Sequence, residues 1–350
     1  MKILYLYCEV MPYNVIALES LINLNRNLEI DVFSWGVTKK LTPYVPPQIE
    51  RVNFFDEKDF NYIDLLGLYN KNKYKLIYIC NRREKKYLKL AKYARKNSTL
   101  IFGQSDEQLQ NTSRQFIKKI FSYFLYRQYF DFMCVPGYYQ YEFMRYLGFK
   151  KNQIFIGAYT ANITIFNQFY LDNHCKNFYK TKTLLFLGRL EEEKGLKLLV
   201  QTLKKLQSHF DFKLKVIGNG SQKDLIKDID FVEYYSFMDQ GDLVNQLKEV
   251  DFFVLPSNYE PWGVVIHEMT AAGLPIICSD SCGARSAFVF NNYNGFIFKN
   301  NCEISLKFCL ESAFNISSER LSEFKKRSFE LSRFITPQLW SETINSFLVD

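Results

Sequence analysis

Two carboxylates eight residues apart, Glu260 and Glu268, stand in the segment Asn258-Tyr259-Glu260-Pro261-Trp262-Gly263-Val264-Val265-Ile266-His267-Glu268. An apolar run at 251–257 precedes them and reads as a buried strand. A helical pattern ending in Ala271-Ala272-Gly273 follows, and then a second apolar run at 274–280. In an open α/β sheet, a strand that opens into a helix presents unpaired N–H groups and a positive dipole end. Both suit a phosphorylated ligand. Glu260 falls in that loop. Glu268 falls little more than one turn into the helix, where side chains lean back toward the N-terminus. Both carboxylates can therefore reach one ligand beside the loop.

Cations stand upstream. The run 183–190 (TLLFLGRL) reads as a strand leaving through Gly188, and Arg189 and Lys194 put two positive charges at its carboxyl end. Two cations beside a helix N-terminus suit a diphosphate. The bland reading is a solvated loop in which Glu191-Glu192-Glu193-Lys194 pairs with itself. Gly218-Asn219-Gly220 follows the next strand; a lone Gly-x-Gly is first of all a turn, and its place at another strand's carboxyl end gives it value.

The elements that must position these residues alternate along the chain. Strand patterns lie at 2–10, 29–35, 75–80, 99–104, 130–135 and 153–158, then at 183–187, 213–217, 231–235, 251–255 and 275–279. Helical patterns fall between most of them, among them 58–69, 83–96, 113–128, 138–147 and 222–227. Strands alternating with helices predict parallel sheets covered on both faces. The expected fold class is α/β, with two doubly wound, Rossmann-like domains. The expected limits are a first domain at 1–165, a polar, irregular join at 166–182, a second domain at 183–332, and a C-terminal helix at 333–350 that can cross back to the first domain.

Taken together, these residues resemble the nucleotide-sugar glycosyltransferases of the GT-B fold, in particular the large retaining family 4. The matching pieces are Gly188-Arg189 with Lys194-Gly195, Gly218-Asn219-Gly220, the Glu260…Glu268 pair, Gly273-Leu274-Pro275, Cys282-Gly283 and Asn294-Gly295-Phe296. The resemblance implies two domains facing a cleft. It implies that Arg189 and Lys194 hold the donor diphosphate and that Glu260 contacts the donor sugar. The backbone N–H groups of Gly263 and Val264 would lie close to sugar and phosphate. Glu268 would accept hydrogen bonds from ribose hydroxyls, and Gly218, Asn219 and Gly220 would let the backbone approach the nucleotide. Fixed cations and a helix dipole can stabilise a departing diphosphate without a metal, so neither a metal ion nor a cofactor is expected. The expected activity is transfer of a hexose, with retention, from a nucleotide diphosphate sugar (UDP-sugar favoured). The acceptor would be a growing glycan, plausibly lipid-linked, in bacterial surface polysaccharide synthesis. Rival readings are an epimerase or hydrolase of the same fold, or a non-catalytic nucleotide-binding scaffold. The intact Arg189, Lys194, Glu260 and Glu268 set argues against the scaffold.

The first half departs from the family. After the first strand the loop reads Glu9-Val10-Met11-Pro12, without the glycine pair of many relatives, and no histidine precedes His174. Glu9 or Asp106 could act on the acceptor side, although Asp106, placed before a helical pattern, reads better as a helix cap or surface carboxylate. Between Arg82 and Lys96 stand eight basic residues against one acidic. Tyr87, Leu90, Ala91 and Ala94 line one side of that helix, and Lys85, Lys89, Lys92 and Lys96 the other. A basic amphipathic helix can lie on anionic lipid, or it can be a domain helix with a solvated face. The aromatic-rich stretch 114–130 reads as a core helix, because apolar residues wrap most of its circumference.

Bulk properties bound the rest. The net charge of +8 fits solubility, an anionic membrane surface or a phosphate-bearing ligand. Charge alone is a weak case for a nucleic-acid partner, and none is expected. The eight cysteines are scattered without a CxxC pair, as in a reducing compartment. No apolar run is long enough to span a bilayer, and the start lacks a signal-peptide pattern. The expected location is cytoplasmic, peripheral at the inner face of the membrane.

Overall fold

A computed structural model describes residues 1–35, 44–80, 82–173 and 181–349. The chain forms two compact units. One comprises Met1–Thr160 with Thr336–Asp350, and the other Ala161–Ile335.

The first unit carries β1 (Lys2–Leu6), β2 (Glu29–Ser34), β3 (Val52–Asp56), β4 (Leu76–Ile79), β5 (Leu100–Gln104), β6 (Phe132–Val135) and β7 (Ile154–Ile156). They form one sheet in the order β3-β2-β1-β4-β5-β6-β7, each neighbouring pair parallel. The central strand β4 (LIYI) is buried along its whole length, the mark of a strand covered by helices on both faces. The helix Pro337–Asn345 belongs to this unit and lies against the helix Pro12–Leu24. Ser20 and Ser341 share a hydrogen bond of 2.7 Å there, and Trp340 donates its indole N–H to the Tyr78 hydroxyl at 3.1 Å.

The second unit carries β8 (Lys182–Leu187), β9 (Phe212–Ile217), β10 (Val232–Tyr235), β11 (Phe252–Leu255), β12 (Ile276–Ser279) and β13 (Gly295–Phe298). Their order is β10-β9-β8-β11-β12-β13, again all parallel. In each sheet the chain starts at the centre, winds to one edge, then returns to wind toward the other. The order reverses between β1 and β4 in one unit and between β8 and β11 in the other. Such switch points part the loops at the strands' carboxyl ends and leave room for a ligand.

Several expectations need correction. Strand β3 was not anticipated. It is an edge strand whose Asn53 and Asp56 interrupt the apolar pattern, and only Val52 is buried. The helix expected from 58 begins at Tyr62. There Asn61 accepts from the N–H groups of Ile63 and Asp64, and Asp64 accepts from the Asn61 N–H in return. The irregular join expected at 166–182 is helical in its first part, Ile163–Asn173, with Phe166 and Phe169 buried; 174–180 lie outside the described residues. The pattern at 222–227 is one tight turn, Lys223–Ile226. The stretch 114–130 is not a core helix. It is a short helix, Ser113–Ile120, followed by a wide helical turn, Tyr123–Arg127; Tyr126 and Phe130 are buried, but most of its apolar residues face outward. Among the described residues no helix is long and apolar enough to cross a membrane.

Candidate functional site

The site is built at the switch point of the second unit. Strand β8 ends at Leu187 and its chain leaves through Gly188, while β9 leaves through Gly218. The two exits nearly touch. A Cβ on Gly218 would stand 1.9 Å from the Gly188 carbonyl oxygen, and Gly218 has φ +142, so no other residue fits there. Beyond the glycines, the Leu190 N–H donates to the Asn219 carbonyl and the Gln222 N–H to the Leu190 carbonyl, both at 2.8 Å. Glu191 accepts from the Ser221 N–H at 3.1 Å and its hydroxyl at 2.6 Å, and those bonds hold its carboxyl below the usual range. Asn219 accepts from the Tyr234 hydroxyl at 2.9 Å. Gly218, Asn219 and Gly220 thus lock one loop onto the next.

The loop after β11 is tied to the loop after β8 from the other side. The Asn258 N–H donates to the Glu193 carbonyl at 2.8 Å, and its side-chain amide donates to the Glu192 carbonyl at 3.2 Å. Asn300 in turn donates to the Asn258 carbonyl at 2.7 Å. Lys194 makes an ion pair with Glu260, both side chains largely buried. Ser257 adds a longer contact to the same carboxylate oxygen at 3.4 Å. The Glu260 carbonyl accepts from the Gly283 N–H at 3.0 Å, and the Trp262 carbonyl from the Ala284 N–H at 2.8 Å. This pins the Glu260 loop along the Cys282-Gly283 turn. Gly263 then turns the chain at φ +90 into the helix Val264–Ala271; a Cβ there would press on Glu260 Cγ at 2.9 Å.

Two neighbours on that helix take opposite roles. Glu268 is half-buried and accepts from the Gln240 side-chain amide at 2.8 Å. Burial pushes its carboxyl up to about 7, with the Gln240 bond pulling weakly the other way. His267 is fully buried. Its Nδ1 accepts from the Ala161 N–H at 3.0 Å, its Nε2 donates to the Ser332 carbonyl at 2.8 Å, and its ring stacks on Phe288. Burial pushes it down to about 4, so it is a neutral structural residue at neutral pH.

The expected residues are thus brought together in part. Lys194 meets Glu260, and Gly263 and Val264 follow on the same loop. Arg189 instead turns outward, with its guanidinium 2.8 Å from exposed Glu193. The sequence reading missed Gln240. Its helix opens at Asp239, which caps it by accepting from the Asp242 N–H at 2.9 Å, and that cap was the available signal.

The other two candidates lie in the first unit. Glu9 is buried beyond β1, and Asp106 is half-buried beyond β5. The capping role expected for Asp106 falls to Thr112, which accepts from the Gln115 N–H at 3.3 Å. The Asp106 charge instead bears on Cys8, Tyr13, Cys80 and Tyr159, adding to the burial that pushes all four up. The switch point of this unit is therefore lined by hydroxyls and thiols, with the Tyr13 and Tyr159 rings edge to face at 5.3 Å. Among the described residues no group of three His, Cys, Asp or Glu is placed to hold a metal ion.

Two parallel, doubly wound sheets with a charged loop pair at the second switch point define the GT-B class of fold. Residues 174–328 match the profile of the family Glycosyl transferases group 1, so the second unit carries that family's domain. The chain is similar to an uncharacterized glycosyltransferase of Methanocaldococcus jannaschii, 32% identical over 121 residues, which are 33% of this chain and 31% of that protein. It is also similar to the capsular polysaccharide biosynthesis glycosyltransferase CapM of Staphylococcus aureus, 28% identical with 57% of each chain covered. The match thus spans about a third of the first relative's length and somewhat over half of the second. Among solved structures, Anabaena HepE in complex with UDP and glucose shares the fold with a TM-score of 0.71 at 17% identity, covering 99% of each chain.

Proposed function

We propose that this protein is a glycosyltransferase that moves a hexose from a nucleotide diphosphate sugar, with UDP the favoured nucleotide, to a growing glycan of a surface polysaccharide. The observation that carries the reading is the Lys194–Glu260 ion pair at the β8/β11 switch point, with Glu268 held by Gln240 on the adjoining helix. In this reading Lys194 and Arg189 take the diphosphate. Arg189 exchanges its exposed Glu193 partner for phosphate oxygens, because a surface ion pair contributes little by itself. Glu260 orients the sugar, the N–H groups of Gly263 and Val264 face the developing charge, and Glu268 accepts from the ribose. Negative charge on the leaving diphosphate is stabilised by these fixed groups, so the reaction needs no divalent ion. Transfer proceeds with retention: the departing diphosphate takes the acceptor's proton on the face it leaves. Glu9 and Asp106 serve the acceptor, which is lipid-linked. The exposed lysines of the helix Lys85–Lys96 hold the enzyme at the inner face of an anionic membrane, and nucleic acid is no partner.

The UDP-bound relative and the capsular polysaccharide relative support the choice of donor and acceptor class. A thermal-shift panel of nucleotide sugars tests the reading, because a ligand that binds only the folded state raises Tm. UDP-sugars are expected to raise Tm more than GDP-sugars, with chelator present. No shift with any nucleotide sugar would overturn the proposal.

A further inference from the structure

The helix Ser113–Ile120 and the turn Tyr123–Arg127 are built inside out. Their inward positions are Gln115, Ser122 and Tyr126, spaced about two turns and then one turn apart. Gln115 is tied down by polar bonds: its amide donates to the Gln108 carbonyl at 2.7 Å, and its oxygen accepts from the Gln110 N–H at 2.7 Å. The outward positions are Phe116, Ile117, Ile120, Phe121 and Phe124, each more than half exposed. Helical folding of a soluble domain puts such a stripe on the core. A contiguous exposed stripe of this size marks a surface that something apolar covers.

The charge around the stripe says what that is. Arg114, Lys119 and Arg127 are exposed within the same segment. The neighbouring helix Lys85–Lys96 is fastened to it, with Arg95 donating to the Arg127 carbonyl at 2.9 Å and Arg82 lying over the Tyr126 ring at 4.1 Å. That helix buries Tyr87, Leu90, Ala91 and Ala94 and exposes Lys85, Lys89, Lys92 and Lys96. An apolar stripe flanked by cations suits acyl chains beneath anionic headgroups. A second copy of the chain would bring the same cations face to face.

We infer that the segment Ser113–Arg127 docks the first unit on an anionic lipid bilayer by inserting its outward apolar side chains, with the lysine face of the adjoining helix resting on the headgroups. The inference rests on the peripheral-membrane part of the proposed function, but it names a different element and a different force.

The test uses the full chain and vesicles of phosphatidylglycerol mixed with phosphatidylcholine, against pure phosphatidylcholine. Phe116→Ser/Phe121→Ser/Phe124→Ser is expected to lower the vesicle partition coefficient about tenfold or more with little change in Tm, because these side chains are more than half exposed. Lys85→Gln/Lys89→Gln/Lys92→Gln/Lys96→Gln is expected to weaken binding and to flatten its salt dependence. Phe124→Trp should be quenched by lipids brominated in the acyl chain. If the serine variant binds like wild type while the lysine variant does not, charge alone holds the protein; the inference is then wrong and the peripheral reading stands. If wild type binds neither vesicle, both fail. A dimer that the serine substitutions dissolve, with no vesicle binding, would assign the stripe to a second copy and overturn the inference.

Discussion

The two sheets share one winding plan and differ in what stands at the point where it reverses. Between β8 and β11 the lining is charged and cross-braced: Lys194 on Glu260, Asn258 on the 192–193 carbonyls, and a glycine exit at Gly218 that leaves no room for a side chain. Between β1 and β4 the lining is half-buried hydroxyl and thiol, Tyr13, Tyr159, Cys8 and Cys80, with the Asp106 charge nearby. Topology therefore fixes where a ligand can sit, and the loop residues decide its chemistry. The second switch point suits a charged diphosphate. The first suits a neutral, hydroxyl-rich molecule that exchanges hydrogen bonds with phenols and carboxylates.

The largest expected effect tests that division directly. Lys194→Ala removes the cation from the charged site and leaves Glu260 without its ion-pair partner. Turnover should fall about 10²-fold or more, as when a group that stabilises transition-state charge is lost. Tyr13→Phe at the other switch point should mainly raise the acceptor KM and leave kcat within about tenfold, since it removes one hydroxyl and no charge. Steady-state kinetics with both substrates varied would decide. Equal losses of kcat in the two variants would break the comparison.

The two switch points were not equally legible in the sequence. In the second unit the chemistry is carried by residue types that announce themselves: glycines at strand exits, paired glutamates, and buried apolar runs for β11 and β12. What stayed hidden there were contacts made across the fold. Nothing local links Lys194 to Glu260 or Gln240 to Glu268, whereas the Arg189–Glu193 pair, four residues apart and exposed, is the kind of local pairing a solvated charged loop makes. In the first unit the local signals misled. Strand β3 lies at an edge, where only Val52 is buried and the apolar pattern thins. The stretch 114–130 is apolar enough for a core, but along it Gln115 and Ser122 are buried with Tyr126 and Phe130 while Phe116, Ile117, Ile120, Phe121 and Phe124 are exposed, and a composition rule cannot say which side of a helix faces in. The sequence in both cases specifies the sheet. It specifies the direction of a helix face only when that face is apolar and inward.

A tenfold effect should separate the two sites by pH. The Glu268 carboxyl, pushed up to about 7 by burial, is half neutral near neutrality. A hydroxyl donor on the ligand binds the ionised form, so donor affinity should be flat above pH 7 and fall about tenfold per pH unit below it. A nucleotide sugar is the right probe, because its diphosphate has no terminal ionisation in this range. Glu268→Gln should weaken binding at pH 8 and abolish the slope. The same group has a linkage consequence without ligand. Its folded value lies above the unfolded 4.5, so the folded state holds the proton more tightly, and stability falls as pH rises from about 4.5 through 7. The acceptor KM should show no matching slope, since burial pushes Cys8 up to about 11 and Tyr13 higher still. Calorimetry giving a constant donor Kd from pH 6 to 8 would remove Glu268 from the ligand.

The smallest effect probes whether the first switch point is one electrostatic unit. Cys8 is held up mainly by burial, with the Arg83 charge lowering it and the Asp106 charge raising it. Only the thiolate reacts with an alkylating reagent, so the rate at Cys8 reads its local field. Asp106→Asn removes a negative charge and should speed alkylation of Cys8 about two- to threefold, whereas Arg83→Gln should slow it by about as much. Cys302, in the other unit, serves as the internal control and should not change. Peptide mass spectrometry separates the two sites. If both substitutions leave the Cys8 rate alone, Asp106 does not share a field with the β1 and β4 exits. The first switch point would then be a set of separate half-buried groups, and the comparison with the braced site of the second unit would lose one of its two terms.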